Sequence, residues 1–243
     1  MSRRELNVMI DEKASDELSL LCEWTRSVFA RAAVVEGSLI QLSKCGTLFP
    51  EESCLIGSAV AARKREFETG RNCARRALRR LDIEPCPILM GAMREPLWPE
   101  NIIGSITHEG SYCIVALQRP GFSRGMGIDL TQNLPLHNRI VSAVCAPEER
   151  QLVAPDSLLS EMFDPRRVVF SMKESLYKCL YPTVKRVFEF RDVRIELDRH
   201  AKIGVIHLLR SELVRAVQDV FLYARYFATR NHIITSVWME ERM

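Results

Sequence analysis

The chain has 243 residues, 47% hydrophobic and 27% charged, enough apolar material to bury a substantial core as one large domain or two packed halves. Its formal charge of +3 is too small to imply a nucleic-acid coat by itself, and no apolar run is long enough to cross a bilayer. Eight cysteines (22, 45, 54, 73, 86, 113, 145 and 179) lie scattered without a Cys-x-x-Cys pair, which argues against zinc. The opening Met-Ser-Arg-Arg-Glu-Leu carries no secretory run, so these thiols are expected in a reducing cytoplasm, mostly as small core hydrophobes.

In chain order, the first strong signal is a helix over 59–81. Phe67, Ala74, Ala77, Leu78 and Leu81 recur at helical spacing, while Lys64, Arg71, Arg75 and Arg79 form a second stripe that is expected to present guanidinium groups. Residues 63–80 hold eight basic side chains against two acids, a surplus larger than the whole chain's charge. That points to a local anion site on an otherwise acidic protein. Gly91 to Pro99, with two prolines around Trp98, predicts an ordered loop.

Residues 102–107, 112–118 and 126–130 read as short strands, placing His108 at a strand end and Asp129 on or just ending a strand. Asp164-Pro165 opens a helix by capping chemistry, with Val169, Met172, Leu176 and Leu180 on its apolar face. Arg167, Ser171, Glu174 and Lys178 line its polar side, and Tyr181-Pro182 is expected to end it. Alternation at Val193, Ile195 and Leu197 predicts a strand, 208–217 has helical periodicity, and 220–228 with 233–238 form a closing hairpin. No sequence repeat is visible, but the like element content of the two halves allows a structural one.

Gly127-Ile128-Asp129 puts one carboxylate at the mouth of a strand, and Lys173-Glu174-Ser175-Leu176-Tyr177-Lys178 puts another on a helix. Two acids are enough for magnesium when substrate phosphate oxygens complete its shell, and Lys178 with the arginine stripe would offset the remaining phosphate charge. Taken singly, each of these residues has an ordinary structural explanation. Their order carries the weight: Arg63-x-x-Glu66-Phe67-x-x-Gly70-Arg71-x-x-Ala74-Arg75-x-Ala77-Leu78, Arg94-x-Pro96-x-Trp98-Pro99, Gly104-Ser105-Ile106-Thr107-His108, Gly127-Ile128-Asp129, and Phe170-Ser171-x-Lys173-Glu174-Ser175-x-Tyr177-Lys178.

That succession, over about residues 60–200, resembles the phosphopantetheinyl transferases of the surfactin-synthetase and enterobactin-synthetase type. The resemblance implies an α/β (α+β) fold of two similar halves, 1–122 and 123–243, related by a pseudo-two-fold, with the active site in the cleft between them. It implies coenzyme A as donor, magnesium as cofactor, and a serine of an apo acyl or peptidyl carrier protein as acceptor. Arg63, Arg71 and His108 match residues holding the 3′-phosphate end, with Arg75 further along the stripe; Arg94 and Thr107 fall among neighbouring cofactor contacts. Asp129 and Glu174 match the metal ligands, and Lys173 and Lys178 match lysines near the pyrophosphate. The family's Asp-x-Glu here reads Asp129-Leu130-Thr131, leaving Thr131 at the third-ligand position.

Catalysis is expected to fall to Glu174, Lys178 and Asp129, and carrier recognition to residues 134–165. The expected protein is a monomer that binds neither nucleic acid nor membrane. The alternative is a nucleic-acid-binding protein that uses the Arg-rich helix 59–81; it predicts affinity with a steep salt dependence.

Overall fold

A computed structural model of the protein describes residues 3–29, 33–40, 48–121, 123–152 and 163–242. Cys45, Phe122 and residues 153–162 of the expected carrier segment lie outside them. The chain divides into two compact units, Met1–Ile102 with Ile106–Arg119, and Ile103–Ser105 with Pro120–Met243. No helix among the described residues is long and apolar enough to cross a membrane.

The first unit runs α1 (Arg3–Val28), β1 (Val34–Leu39), α2 (Pro50–Leu55), α3 (Ala61–Arg79), β2 (Leu89–Met90), β3 (Pro96–Leu97), β4 (Ile103–Glu109) and β5 (Tyr112–Gln118). Its main sheet is antiparallel, in the order β1-β5-β4. Every residue of the central β5 is buried, which explains an apolar run that does not alternate. Phe67, Ala74, Ala77 and Leu78 press α3 onto it, and at Gly70 a Cβ would stand 3.3 Å from the Ile106 side chain, so the glycine sets the helix-to-sheet spacing. The proline-flanked loop contains a two-residue hairpin, β2 with β3, whose turn places Arg94 at φ 66.

The second unit runs β6 (Gly125–Gln132), α4 (Asn138–Val144), α5 (Pro147–Arg150), α6 (Pro165–Val184), a 3-10 turn (Phe190–Asp192), β7 (Val193–Asp198), β8 (Ile203–Leu208), α7 (Ser211–Ala216), β9 (Val220–Ala228) and β10 (His232–Glu241). Its five strands order as β6-β10-β9-β8-β7. Asp164 caps α6 through the Arg166 N–H at 3.0 Å, and Val168, Val169, Met172, Leu176, Cys179 and Leu180 are fully buried against the sheet.

Two expectations change. The helix does not end at Pro182: near the C-terminus the missing N–H costs one hydrogen bond, and the chain turns only at Lys185, φ 52, whose N–H reaches the Tyr181 carbonyl at 2.8 Å. The helical reading of 208–217 shrinks to Ser211–Ala216, and the strand β8, pairing with β7 and β9, takes 203–208. Here cross-strand pairing overrides local periodicity.

The expectation of no sequence repeat is also corrected, by a short Pro-Glu-Glu one. Phe49-Pro-Glu-Glu52 opens α2 and Ala146-Pro-Glu-Glu149 opens α5. Glu52 accepts from the Phe49 N–H at 3.1 Å, the Ile88 N–H at 2.9 Å and Arg75 at 2.7 Å. Glu149 accepts from the Ala146 and Ile195 N–H groups, both at 2.6 Å, and from Lys173 at 2.7 Å. Each unit therefore fixes its long helix with one buried carboxylate, one basic side chain and two backbone donors, so neither charge is stranded.

The approach of α6 to β6 decides where the acids lie. A Cβ on Gly127 would stand 1.9 Å from the Ser175 carbonyl oxygen and 2.8 Å from the Cys179 nitrogen, so helix and strand backbones meet there directly. We expect Gly127→Ala to lower the melting temperature sharply or prevent folding, measured by circular dichroism; a wild-type melt would contradict this close contact.

Candidate active site

That contact lets a strand carboxylate meet a helix face. Asp129 is 9% exposed; its Oδ1 accepts from Lys178 Nζ at 2.8 Å and its Oδ2 from Ser171 Oγ at 2.8 Å. Lys178 also donates to the Ile128 carbonyl at 2.9 Å. The i, i+4 spacing of Glu174 and Lys178 suggests a helical ion pair, yet the lysine turns to Asp129 instead.

Glu174 has no hydrogen bond or ion pair among the described residues. Burial, and then the negative charge of Asp129, raise its pKa above the usual glutamate value, while Lys178 partly offsets them. A partly buried carboxylate in the field of a second one has the charge and the donor chemistry that could hold a hard cation. The donors are hard oxygens, and no cluster of three or more His, Cys, Asp or Glu occurs among the described residues. A two-carboxylate set of this kind fits magnesium, which completes its shell with water and substrate oxygens.

Thr131 is buried, and its Oγ1 accepts from Arg167 Nη1 at 3.4 Å. Arg167 is anchored on the Leu134 and Pro135 carbonyls at 2.9 and 3.1 Å. Relative to an Asp-x-Glu pattern, this corner exchanges a negative group for a neutral one beside a guanidinium. The site is correspondingly less negative.

In the first unit, Arg63 Nη1 lies 2.7 Å from His108 Nε2 and 3.0 Å from Glu66 Oε2. A guanidinium only donates, so His108 accepts at Nε2 and carries its proton at Nδ1. Arg63 and His108 are both partly exposed. Thr107 is buried and Arg94 is exposed in its turn.

Three of the expected cofactor contacts have partners within the chain. Arg71 is buried over the Phe67 ring, 4.2 Å from its centroid, and donates to the Ile88 carbonyl at 2.7 Å; burial lowers it to about 10. Arg75 is spent on Glu52 and on Asn72 Oδ1 at 2.9 Å. Lys173 is 2% exposed and donates to Glu149 and to the Val144 and Phe190 carbonyls, both at 2.9 Å, with burial drawing its pKa down. All three of its protons are used.

Other basic residues of the α3 segment also find acidic partners. Arg76 and Arg80 pair with Glu36 at 3.1 and 2.8 Å, so part of the basic surplus of residues 63–80 is neutralised within the chain. The described cysteines are free thiols, most of them buried; burial pushes Cys22 to about 12 and Cys145 to about 11, which keeps them unreactive.

Residues 51–118 match the family model "4'-phosphopantetheinyl transferase N-terminal domain", and 125–235 match the "4'-phosphopantetheinyl transferase superfamily". The 4'-phosphopantetheinyl transferase Npt of Nocardia iowensis is 32% identical over 168 residues, 69% of this chain and 74% of that protein. The chain belongs to the 4'-phosphopantetheinyl transferase superfamily.

Two further members share more identity. PptT of Mycobacterium tuberculosis is 38% identical over 152 residues, 63% of this chain, and Svp of Streptomyces mobaraensis is 35% identical over 162 residues, 67% of this chain. The chain spans 66% of the length of each. Among solved structures, the holo-[acyl-carrier-protein] synthase of Thermotoga maritima is 16% identical with a TM-score of 0.36, covering 49% of this chain and 64% of that one.

Membership clarifies what sequence reading missed in this superfamily member. Ser171 stood on the polar side of α6 without a role, Glu52 and Glu149 were unremarked, and Thr235 lies outside every motif singled out. The Pro-Glu-Glu repeat was the available signal for the two glutamates. No sequence signal marked Thr235, because its placement opposite Asp129 exists only once β6 and β10 pair.

Proposed function

We propose that this chain transfers the 4′-phosphopantetheine group of coenzyme A to a serine of an apo carrier protein, releasing 3′,5′-ADP. The observation that carries this reading is Glu174, a carboxylate without a partner beside an Asp129 already held by Lys178 and Ser171.

A magnesium ion held by Asp129 and Glu174 would neutralise charge on the diphosphate as it is cleaved. The carrier serine oxygen attacks the β-phosphorus, forming the new P–O bond as the bond to the 3′,5′-ADP oxygen breaks. Glu174 accepts the serine proton. Lys178 uses two of its three protons on Ile128 and Asp129 and directs the third at the leaving phosphate. Arg63 and His108 take the 3′-phosphate, with Arg94 and Thr107 nearby. Arg71 and Arg75 act by holding α3 in place, and Lys173 by holding α6.

An acidic carrier helix requires a basic and apolar receiving surface. Within 134–165, Leu134, Arg139 and Ile140 are exposed, and the Ser142 carbonyl accepts from Arg150 at 3.1 Å and, from outside the segment, from Arg191 at 2.7 Å. Arg139→Glu is expected to raise the carrier KM on the order of 5-fold and leave the coenzyme A KM unchanged. An unchanged carrier KM would remove this surface. The expected compartment is the cytoplasm, where these thiols stay reduced.

The test of the function is incubation of the chain with coenzyme A, magnesium and a panel of apo-carriers, read by mass spectrometry, beside thermal-shift titrations with coenzyme A, ATP and RNA. Carrier gain of phosphopantetheine and stabilisation by coenzyme A alone are expected. Stabilisation by RNA without transfer would overturn the reading.

A further inference from the structure

We propose that Thr235 on β10 is a positioning residue, whose hydroxyl orients Ser171 so that the Asp129 carboxylate is presented to a divalent cation. The inference rests on Asp129 being a metal ligand, as proposed above.

Asp129 and Thr235 face each other across the β6–β10 register, and Ser171 and Ser175 project one turn apart from α6. Thr235 Oγ1 sits between the two serines, 3.0 Å from Ser171 Oγ and 2.7 Å from Ser175 Oγ. All three residues are 0% exposed, so no bulk water can replace a missing hydroxyl.

The direction of each bond follows from proton counting. An ionised carboxylate only accepts, so the 2.8 Å contact between Ser171 Oγ and Asp129 Oδ2 consumes the serine's single proton. Ser171 must then accept from Thr235, and Thr235, its own proton spent, must accept from Ser175. The Ser175 proton is shared with the Thr235 carbonyl at 3.1 Å. Three hydroxyls therefore point one way and end on the carboxylate, an arrangement in which each bond polarises the next. With Lys178 on the other oxygen, both Asp129 oxygens are fixed and each keeps a lone pair for a cation.

Outer groups of this kind commonly set metal affinity by about 10–100-fold. Isothermal titration of Mg2+ into the full chain with coenzyme A present is the test, with melts recorded alongside and KM for Mg2+ compared with KM for the carrier. Thr235→Val, which keeps the shape and removes the hydroxyl, is expected to weaken Mg2+ by about 10–100-fold and to raise KM for Mg2+ but not for the carrier. Thr235→Ser should restore wild-type affinity.

Wild-type affinity in Thr235→Val, with Asp129→Asn strongly weakened, overturns the positioning role alone. Equal weakening in the valine and serine variants also overturns it, because shape and not the hydroxyl would then matter. Wild-type affinity in Asp129→Asn overturns the metal-site reading and this inference with it. If Thr235→Val shows no cooperative melt, Ser171→Ala breaks the same chain one link nearer Asp129, and wild-type Mg2+ binding there refutes the inference.

Discussion

Glu174→Gln is expected to cut transfer about 10²–10⁴-fold while melting no lower than the wild type. The activity loss follows from removing both a cation ligand and the proton acceptor in a single near-isosteric change. The thermal result follows from linkage. Burial and Asp129 raise the Glu174 pKa above the ordinary 4.5, so the folded chain binds this proton more tightly than the unfolded one. Stability from this group is therefore full below the ordinary glutamate range and declines as pH rises through it to the raised native value. At neutral pH the ionised side chain works against the fold, and glutamine removes that opposition. Melts across pH 4–8 and a single-turnover transfer assay together check the claim. A variant that loses activity and stability together would make Glu174 a structural residue instead.

Glu149→Ala is expected to cost about 3–5 kcal/mol of folding stability. The glutamate is 1% exposed and satisfies Lys173 Nζ, the Ala146 N–H and the Ile195 N–H at once, so truncation strands one buried charge and two backbone donors. Replacing both partners, as Glu149→Leu with Lys173→Met, should lose less than the single change, because no charge is then left behind. Urea unfolding monitored by fluorescence separates the cases. A single variant no less stable than the double one would show that the pair carries little.

The elements that carry the candidate residues were legible from spacing: Asp129 lies in an apolar strand, and Glu174 and Lys178 lie on the polar side of a helix with an apolar stripe. The partner of each was not legible. Lys178 chooses Asp129 over Glu174 because Gly125 and Gly127 let the α6 and β6 backbones touch, a distance that no local pattern encodes. The same limit hides the partners of the basic residues. Arg71, Arg75 and Lys173 look like anion ligands by charge, yet two of them answer glutamates 23 and 24 positions away, and Arg71 caps carbonyls of the β2 segment. Elements stabilised by pairing, such as β8, or too short for a period, such as α2, α4 and α5, leave little trace in sequence.

A crystal structure of the chain with Mg2+ and coenzyme A tests the central claim most directly. Oxygens of both Asp129 and Glu174 should lie about 2.0–2.1 Å from one ion that also contacts the diphosphate. An ion bound elsewhere, or Glu174 turned away while the diphosphate is in place, would contradict it.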